Sequence, residues 1–111
     1  MRFLMLYTPD AREAGVPPDP ARMEAMGKYS EEMTRAGVLL SQAMINPDGA
    51  RVRLQAGQFT VTDQREQIAG YAFIQAQSRE EAIEGTKEFL KVAGDGVTEI
   101  RQVMEYAPQQ A

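Results

Sequence analysis

The chain has 111 residues, 43% of them apolar and 25% charged, which is ordinary globular usage at a size that supports one core and not two. Its net charge of −4, with both signs scattered along the chain, leaves no basic face for phosphates and argues against nucleic acid and anionic membranes as partners. Neither Cys nor His occurs, which excludes disulfides, thiolate nucleophiles, Zn–sulfur centres and His-based triads, and removes the commonest transition-metal ligand.

The first element is a short apolar run, Phe3 to Thr8, stopped by Pro9-Asp10, and its length and terminator predict a strand. Phe3, Met5 and Tyr7 fall on one face and Leu4 and Leu6 on the other, so both faces need cover. The run is too short for a secretory signal, and no window approaches ~18 apolar residues; the expected location is the cytoplasm. Residues 9–20 carry four prolines and read as a loop. Asp19-Pro20 then starts a helix, with a capping carboxylate before a proline at the first helical position. Met23, Met26, Ser30, Met33 and Gly37 recur at spacings of three and four, which predicts one buried stripe with the methionines as core filler and Gly37 as the stop.

Val38 to Ile45 is the second strand, ended by the turn formers Asn46-Pro47-Asp48-Gly49. A hairpin follows, with Val52 and Leu54 alternating with Arg51, Arg53 and Gln55, and Phe59 and Val61 alternating with Gln58, Thr60 and Thr62. A two-residue Ala56-Gly57 turn pairs Leu54 with Phe59 and Val52 with Val61, leaving Arg51 and Arg53 on the opposite face. After a polar stretch, Gly70 to Ala76 reads as a central strand. Ser78 and Glu81 form a capping box for a second helix with an apolar stripe of Ala82, Ile83, Thr86, Phe89, Leu90 and Ala93, closed by Gly94. Val97 to Met104 is the last strand. The domain is expected over residues 1–106, with 107–111 as a tail.

The order strand, helix, strand, hairpin, strand, helix, strand predicts an α+β fold of ferredoxin-like type, an antiparallel sheet with two helices on one face and an inserted β-hairpin. Tyr7 or Leu6, and Phe73 or Ile74, must then point to the helix-free face. An apolar face of that size predicts a homodimer.

Several blocks carry a family resemblance: Met1 to Tyr7, Met33 to Leu40, Phe59 to Asp63, Glu66 to Tyr71 and Glu99 to Arg101. In order and spacing they resemble the DGPF branch of the YCII-related proteins. The resemblance implies a dimeric α+β barrel, a superfamily that includes muconolactone-isomerase-like enzymes and small-molecule binders. DGPF-type proteins are often encoded beside extracytoplasmic-function sigma factors, which implies a regulatory context. The chain departs from the branch at its signature, because Asp63 is followed by Gln64-Arg65-Glu66 where the branch carries Gly-Pro-Phe and an acidic segment. The resemblance therefore implies either that this protein has lost that loop or that about six further residues, as a surface loop, stand between Asp63 and Gln64. The His-Asp pair of the better known YCII branch has no counterpart here, since the chain has no His.

The candidate site collects polar residues on strands. Asp63 and Glu99 are the candidate catalytic carboxylates, and Arg53, Arg101, Tyr7 and Tyr71 the candidate ligand-binding residues, with Arg51 and Glu66 nearby in sequence. Glu99 and Arg101, two apart, share one strand face with Val97 and Val103, where charges are paired or line a cavity. An arginine holding a carboxylate or enolate while a buried carboxylate moves a proton describes an isomerase or lyase; an edge ion pair and a solvated hairpin face describe the same residues without chemistry. Glu31-Glu32 and Glu80-Glu81 are adjacent on helices and point apart by ~100°, so no metal site is expected. No cofactor motif occurs: Gly94-Asp95-Gly96 follows a helix and is a helix stop. Two readings stand, a dimeric domain binding a small molecule or a partner without catalysis, and a small isomerase or lyase. Burial of Asp63 or Glu99 separates them, because only burial raises a carboxylate toward a general base at neutral pH.

Overall fold

The computed structural model describes residues 1–10 and 19–104. The predicted loop is therefore seen only at its ends, and the predicted tail lies outside the described residues. Six strands and two helices follow in the predicted order: β1 (Arg2–Pro9), α1 (Pro20–Arg35), β2 (Leu39–Met44), β3 (Asp48–Gln55), β4 (Gln58–Arg65), β5 (Gly70–Gln75), α2 (Arg79–Ala93) and β6 (Gly96–Val103).

The local signals act as the chemistry requires. The Arg22 N–H donates to the Asp19 carboxylate at 2.7 Å, so the aspartate caps α1 ahead of the proline at its first position. The Ser78 hydroxyl accepts from the Glu81 N–H at 3.1 Å. The returning arm of the predicted box differs by one residue, since the Glu81 carboxylate takes the N–H of Gln77, not of Ser78, at 3.1 Å. Gly94 closes α2 at φ 103°, a conformation that disfavours any side chain.

Strands β2, β5, β1 and β6 form one antiparallel sheet in that order, with β2 and β6 at the edges. With β3 and β4 set aside, this is the ferredoxin-like order, in which two strand-helix-strand halves interleave. Both helices lie on the face of Phe3, Met5 and Ile74. Phe3 is 1% exposed, and with Met5, Ile74, Ala76 and Ala82 of α2 it makes the core, flanked by Val38, Leu39, Ala72, Phe89 and Ile100. The opposite face carries Leu4 and Leu6 of β1. The register places Phe73 and Tyr71 of β5 beside them on one side and Arg101 and Glu99 of β6 on the other. Leu6 and Phe73, not Tyr7 and Ile74, thus take the helix-free face. No helix among the described residues is long and apolar enough to cross a membrane.

Strands β3 and β4 form their own two-stranded sheet, with Leu54 opposite Phe59, Val52 opposite Val61 and Arg53 opposite Thr60, as the alternation predicts. Ala56 and Gly57 turn the chain with positive φ at both positions, 51° and 77°. The predicted turn at 46–49 is shorter than expected. Asn46 accepts the Asp48 N–H on its side chain at 2.9 Å, and Asp48 and Gly49 already pair with Arg65 and Gln64. Asp63 pairs with Ala50 and Gln64 with Gly49, so the ladder runs through both positions.

The largest correction concerns α1. None of its residues is fully buried, and Met23, expected in the core, is 60% exposed, while Met26 and Met33 are half-buried. Helix α2 buries Ala82 and Thr86 against the sheet, whereas α1 stands over it and leaves space beneath.

Candidate functional site

That space is a cavity of about 590 Å³ between the sheet and the first half of α1. Its floor is Met5 and Tyr7 of β1, Gln42 of β2, Ala72 of β5 and Thr98 of β6; its roof is Arg22, Met23 and Met26 of α1, and Phe89 and Ala93 of α2 close one side. The volume lies within the range of small-molecule sites, which are mostly apolar with a few placed polar groups. A smaller cavity of about 70 Å³ continues under the second half of α1, lined by Tyr29, Ser30 and Met33.

The polar groups gather at the β6 end. The Tyr7 hydroxyl donates to the Gly94 carbonyl at 3.3 Å and its ring meets Phe89 edge-on with centroids 5.4 Å apart. The Arg22 Nη1 donates to the Ala93 carbonyl at 3.2 Å. Two terminal carbonyls of α2 are thus satisfied from across the cavity, and a cation at a helix C-terminus is electrostatically favourable. The guanidinium lies so close to Gly94 that a side chain there would collide with Nη1. Thr98, whose Cα partner is Tyr7, has a buried hydroxyl without a hydrogen-bond partner. An orphaned buried hydroxyl costs on the order of 1–3 kcal/mol; Thr98 is a lining residue of the cavity while its oxygen lies just behind the wall.

The residues singled out from sequence are distributed over three places. Tyr7 and Tyr71 are both among the residues that line the cavity, Tyr7 with its ring on the helix side against Phe89. The Tyr71 ring stands on the opposite face of the sheet, edge-on to Phe73 with centroids 6.4 Å apart. Glu99 and Arg101 share that face, separated from Tyr71 by Leu6. The Arg101 Nε donates to Glu99 at 3.1 Å, and this hydrogen bond, followed by the charge of Glu99, raises the Arg101 pKa above its ordinary value. The pair is exposed, so its contribution to stability is small. Arg53 and Asp63 are on the β3–β4 hairpin, exposed and on opposite faces of it. The structure therefore brings Tyr71, Glu99 and Arg101 together on one surface and holds Arg53, Asp63 and Tyr7 away from it. Neither candidate carboxylate is buried in the chain, and neither lines the cavity.

Arg22, Gln42 and Thr98 were not singled out from sequence. Thr98 has a signal in retrospect, since it alternates with Ile100 on the inward face of β6, where a hydroxyl needs a partner. Arg22 has none, because an arginine in a first helical turn is unremarkable until α2 ends beside it. Tyr29, between the two helices, has its pKa raised by burial first and by the charge of Glu88 second. Among the described residues no group of three or more carboxylates converges to hold a metal ion.

No curated protein matches the chain. The model of the YCII-related domain family matches residues 1–107, which spans every element of the fold and both the cavity and the open sheet face. The chain belongs to the YCII-related domain family.

Proposed function

We propose that the protein is a cytoplasmic, homodimeric domain that binds an apolar small molecule carrying one hydrogen-bonding group, in a regulatory setting and without chemistry of its own. The observation that carries this reading is the cavity of about 590 Å³ under α1, with Tyr7, Arg22 and Gln42 among the residues that line it. Four methionines, Met5, Met23, Met26 and Met44, line it, and their unbranched side chains adapt to differently shaped apolar guests. The polar groups on the wall are hydroxyls, an amide and a guanidinium. Among the described residues that line it there is no carboxylate, which favours binding over general-base chemistry. Asp63 and Glu99, which an isomerase or lyase would use, are exposed and outside the cavity. The helix-free face, with Leu4, Leu6, Tyr71 and Phe73, supports the homodimer.

Saturation-transfer NMR with 4-phenylbutanol tests the cavity. The wild type is expected to give transfer to the aromatic protons, and Met23→Trp, which fills the cavity from its exposed wall, is expected to abolish it while the melting temperature holds. Transfer that survives Met23→Trp places the guest elsewhere, and no transfer to the wild type removes the proposal.

A further inference from the structure

The large cavity does not end under the first half of α1. Met5, Gln42, Ala72 and Phe89 line both it and the smaller cavity of about 70 Å³, so the two adjoin. Arg22, Met23 and Met26 roof the first, and Tyr29, Ser30 and Met33 the second, so the order along the helix is the order along one lane beneath it. From Arg22 to Met33 the helix rises about 16 Å, which sets the length of that lane. Its two ends differ. At one stand Tyr7 and the Arg22 guanidinium, a group that only donates hydrogen bonds; at the other are Val38, Leu39 and Ile74.

The far end is also narrow. An apolar cavity that takes up benzene measures about 150 Å³, so the small cavity admits a chain and not a ring. Part of its room comes from Gly85, in the middle of α2. Ala82, Gly85 and Phe89 follow at spacings of three and four, so Gly85 shares the side of α2 that faces the core and the lane. The Tyr29 hydroxyl donates to the Gly85 carbonyl at 3.3 Å, which brings α1 past this point. Glycine is disfavoured inside a helix, and neither usual reason for one applies here. Its φ is not positive, and a Cβ placed on it would meet no atom of the described residues within 4 Å. What glycine leaves at this position is open space at the end of the lane.

We propose that the guest is an unbranched aliphatic chain ending in one oxygen-bearing group, with that group beside Tyr7 and Arg22 and the tail in the small cavity, and that Gly85 sets the length of chain accepted. The inference rests on the binding reading above and narrows its ligand to medium-chain amphiphiles. A chain that reaches the small cavity removes more apolar surface from water than one confined to the large, and each further methylene adds about fourfold in affinity for as long as the lane lasts. Met26, Met5 and Met33 follow the lane from the large cavity to the small, and their flexible thioethers adapt to a guest that is itself flexible.

Saturation-transfer NMR tests this, with the affinities of sodium octanoate and sodium dodecanoate read from their displacement of 4-phenylbutanol, so that only guests sharing its site count. The wild type is expected to bind dodecanoate at least ~50-fold more tightly than octanoate. In Gly85→Leu, whose side chain enters the open space and suits a helix interior, that preference is expected to fall to within about twofold. Gly27→Leu is the control, a like change in α1 at a glycine with equally open surroundings that lines neither cavity, and is expected to keep the preference. A wild type that binds 4-phenylbutanol and gains nothing from octanoate to dodecanoate leaves the cavity standing as a binding site and overturns the chain. An undiminished preference in Gly85→Leu puts the tail elsewhere and overturns the role of Gly85. A wild type that binds none of the three compounds removes the binding reading and the chain together.

Discussion

The two halves of one ribbon meet different fates. Where β2 and β5 run together in the sheet, α2 and α1 stand over one side, and Ile74 is buried beside Phe3. Where the same ribbon continues as β3 and β4, an equally regular alternation of Val52, Leu54, Phe59 and Val61 stays in solvent. Alternation establishes a strand with two unlike faces, but burial depends on what lies across from the apolar one. A two-stranded ribbon alone is marginal in water, so the hairpin's regular structure itself calls for a partner surface.

The largest expected effect tests the inner half. Phe3→Ala should cost about 3–5 kcal/mol of unfolding free energy in urea titrations, since the ring is wholly buried. Leu54→Ala, measured at dilutions where the protein is monomeric, should cost less than about 0.5 kcal/mol. An equal loss at both positions would break the comparison by showing that the hairpin packs on its own core. If the proposed homodimer covers Leu54, its cost should grow with protein concentration, because association stabilises by mass action only what it covers.

The inner half has a defect of its own. Thr98→Val replaces a buried, partnerless hydroxyl by a methyl of the same shape and should raise stability by about 1 kcal/mol in the same titration. A destabilised variant would show that the hydroxyl has a bound partner in the cavity. Stability should also fall in alkali. The folded state raises the Tyr29 pKa above 10.0, chiefly through burial and then through Glu88, so it holds that proton more tightly than the unfolded chain does. The associated stability is complete below about pH 10 and is lost as pH rises through the raised value. Tyr29→Phe should flatten the decline, and an unchanged slope in urea midpoints between about pH 9 and about pH 11 would assign it elsewhere. The smallest effect is at the hairpin's tip. Ala56 sits at φ 51°, where Asn is better tolerated, and Ala56→Asn should gain up to about 1 kcal/mol of hairpin stability, read as slower amide exchange in β3 and β4.

Much of this was legible beforehand because it is local. The cap at Asp19, the helix stop at Gly94, the Ala56-Gly57 turn and the pairings it imposes depend on residues within a few positions of one another. The candidate site was less legible. Tyr7 and Tyr71 have the same chemistry and similar strand contexts, yet register sets the Tyr7 ring against Phe89 of α2 and the Tyr71 ring against Phe73, beside Leu6. The methionine stripe of α1 has helical spacing, which places the side chains on one side of the helix and does not say how closely the sheet approaches them.

By itself the sequence determined the element order, the hairpin register, the family and the absence of His and Cys chemistry, since each follows from residue identity and short-range spacing. Only the tertiary structure decided that α1 stands off the sheet over a cavity, that Arg22 and Thr98 belong to it, and that the hairpin leaves the body. Those outcomes depend on long-range packing, in which one helix or ribbon finds enough apolar surface opposite it and another does not.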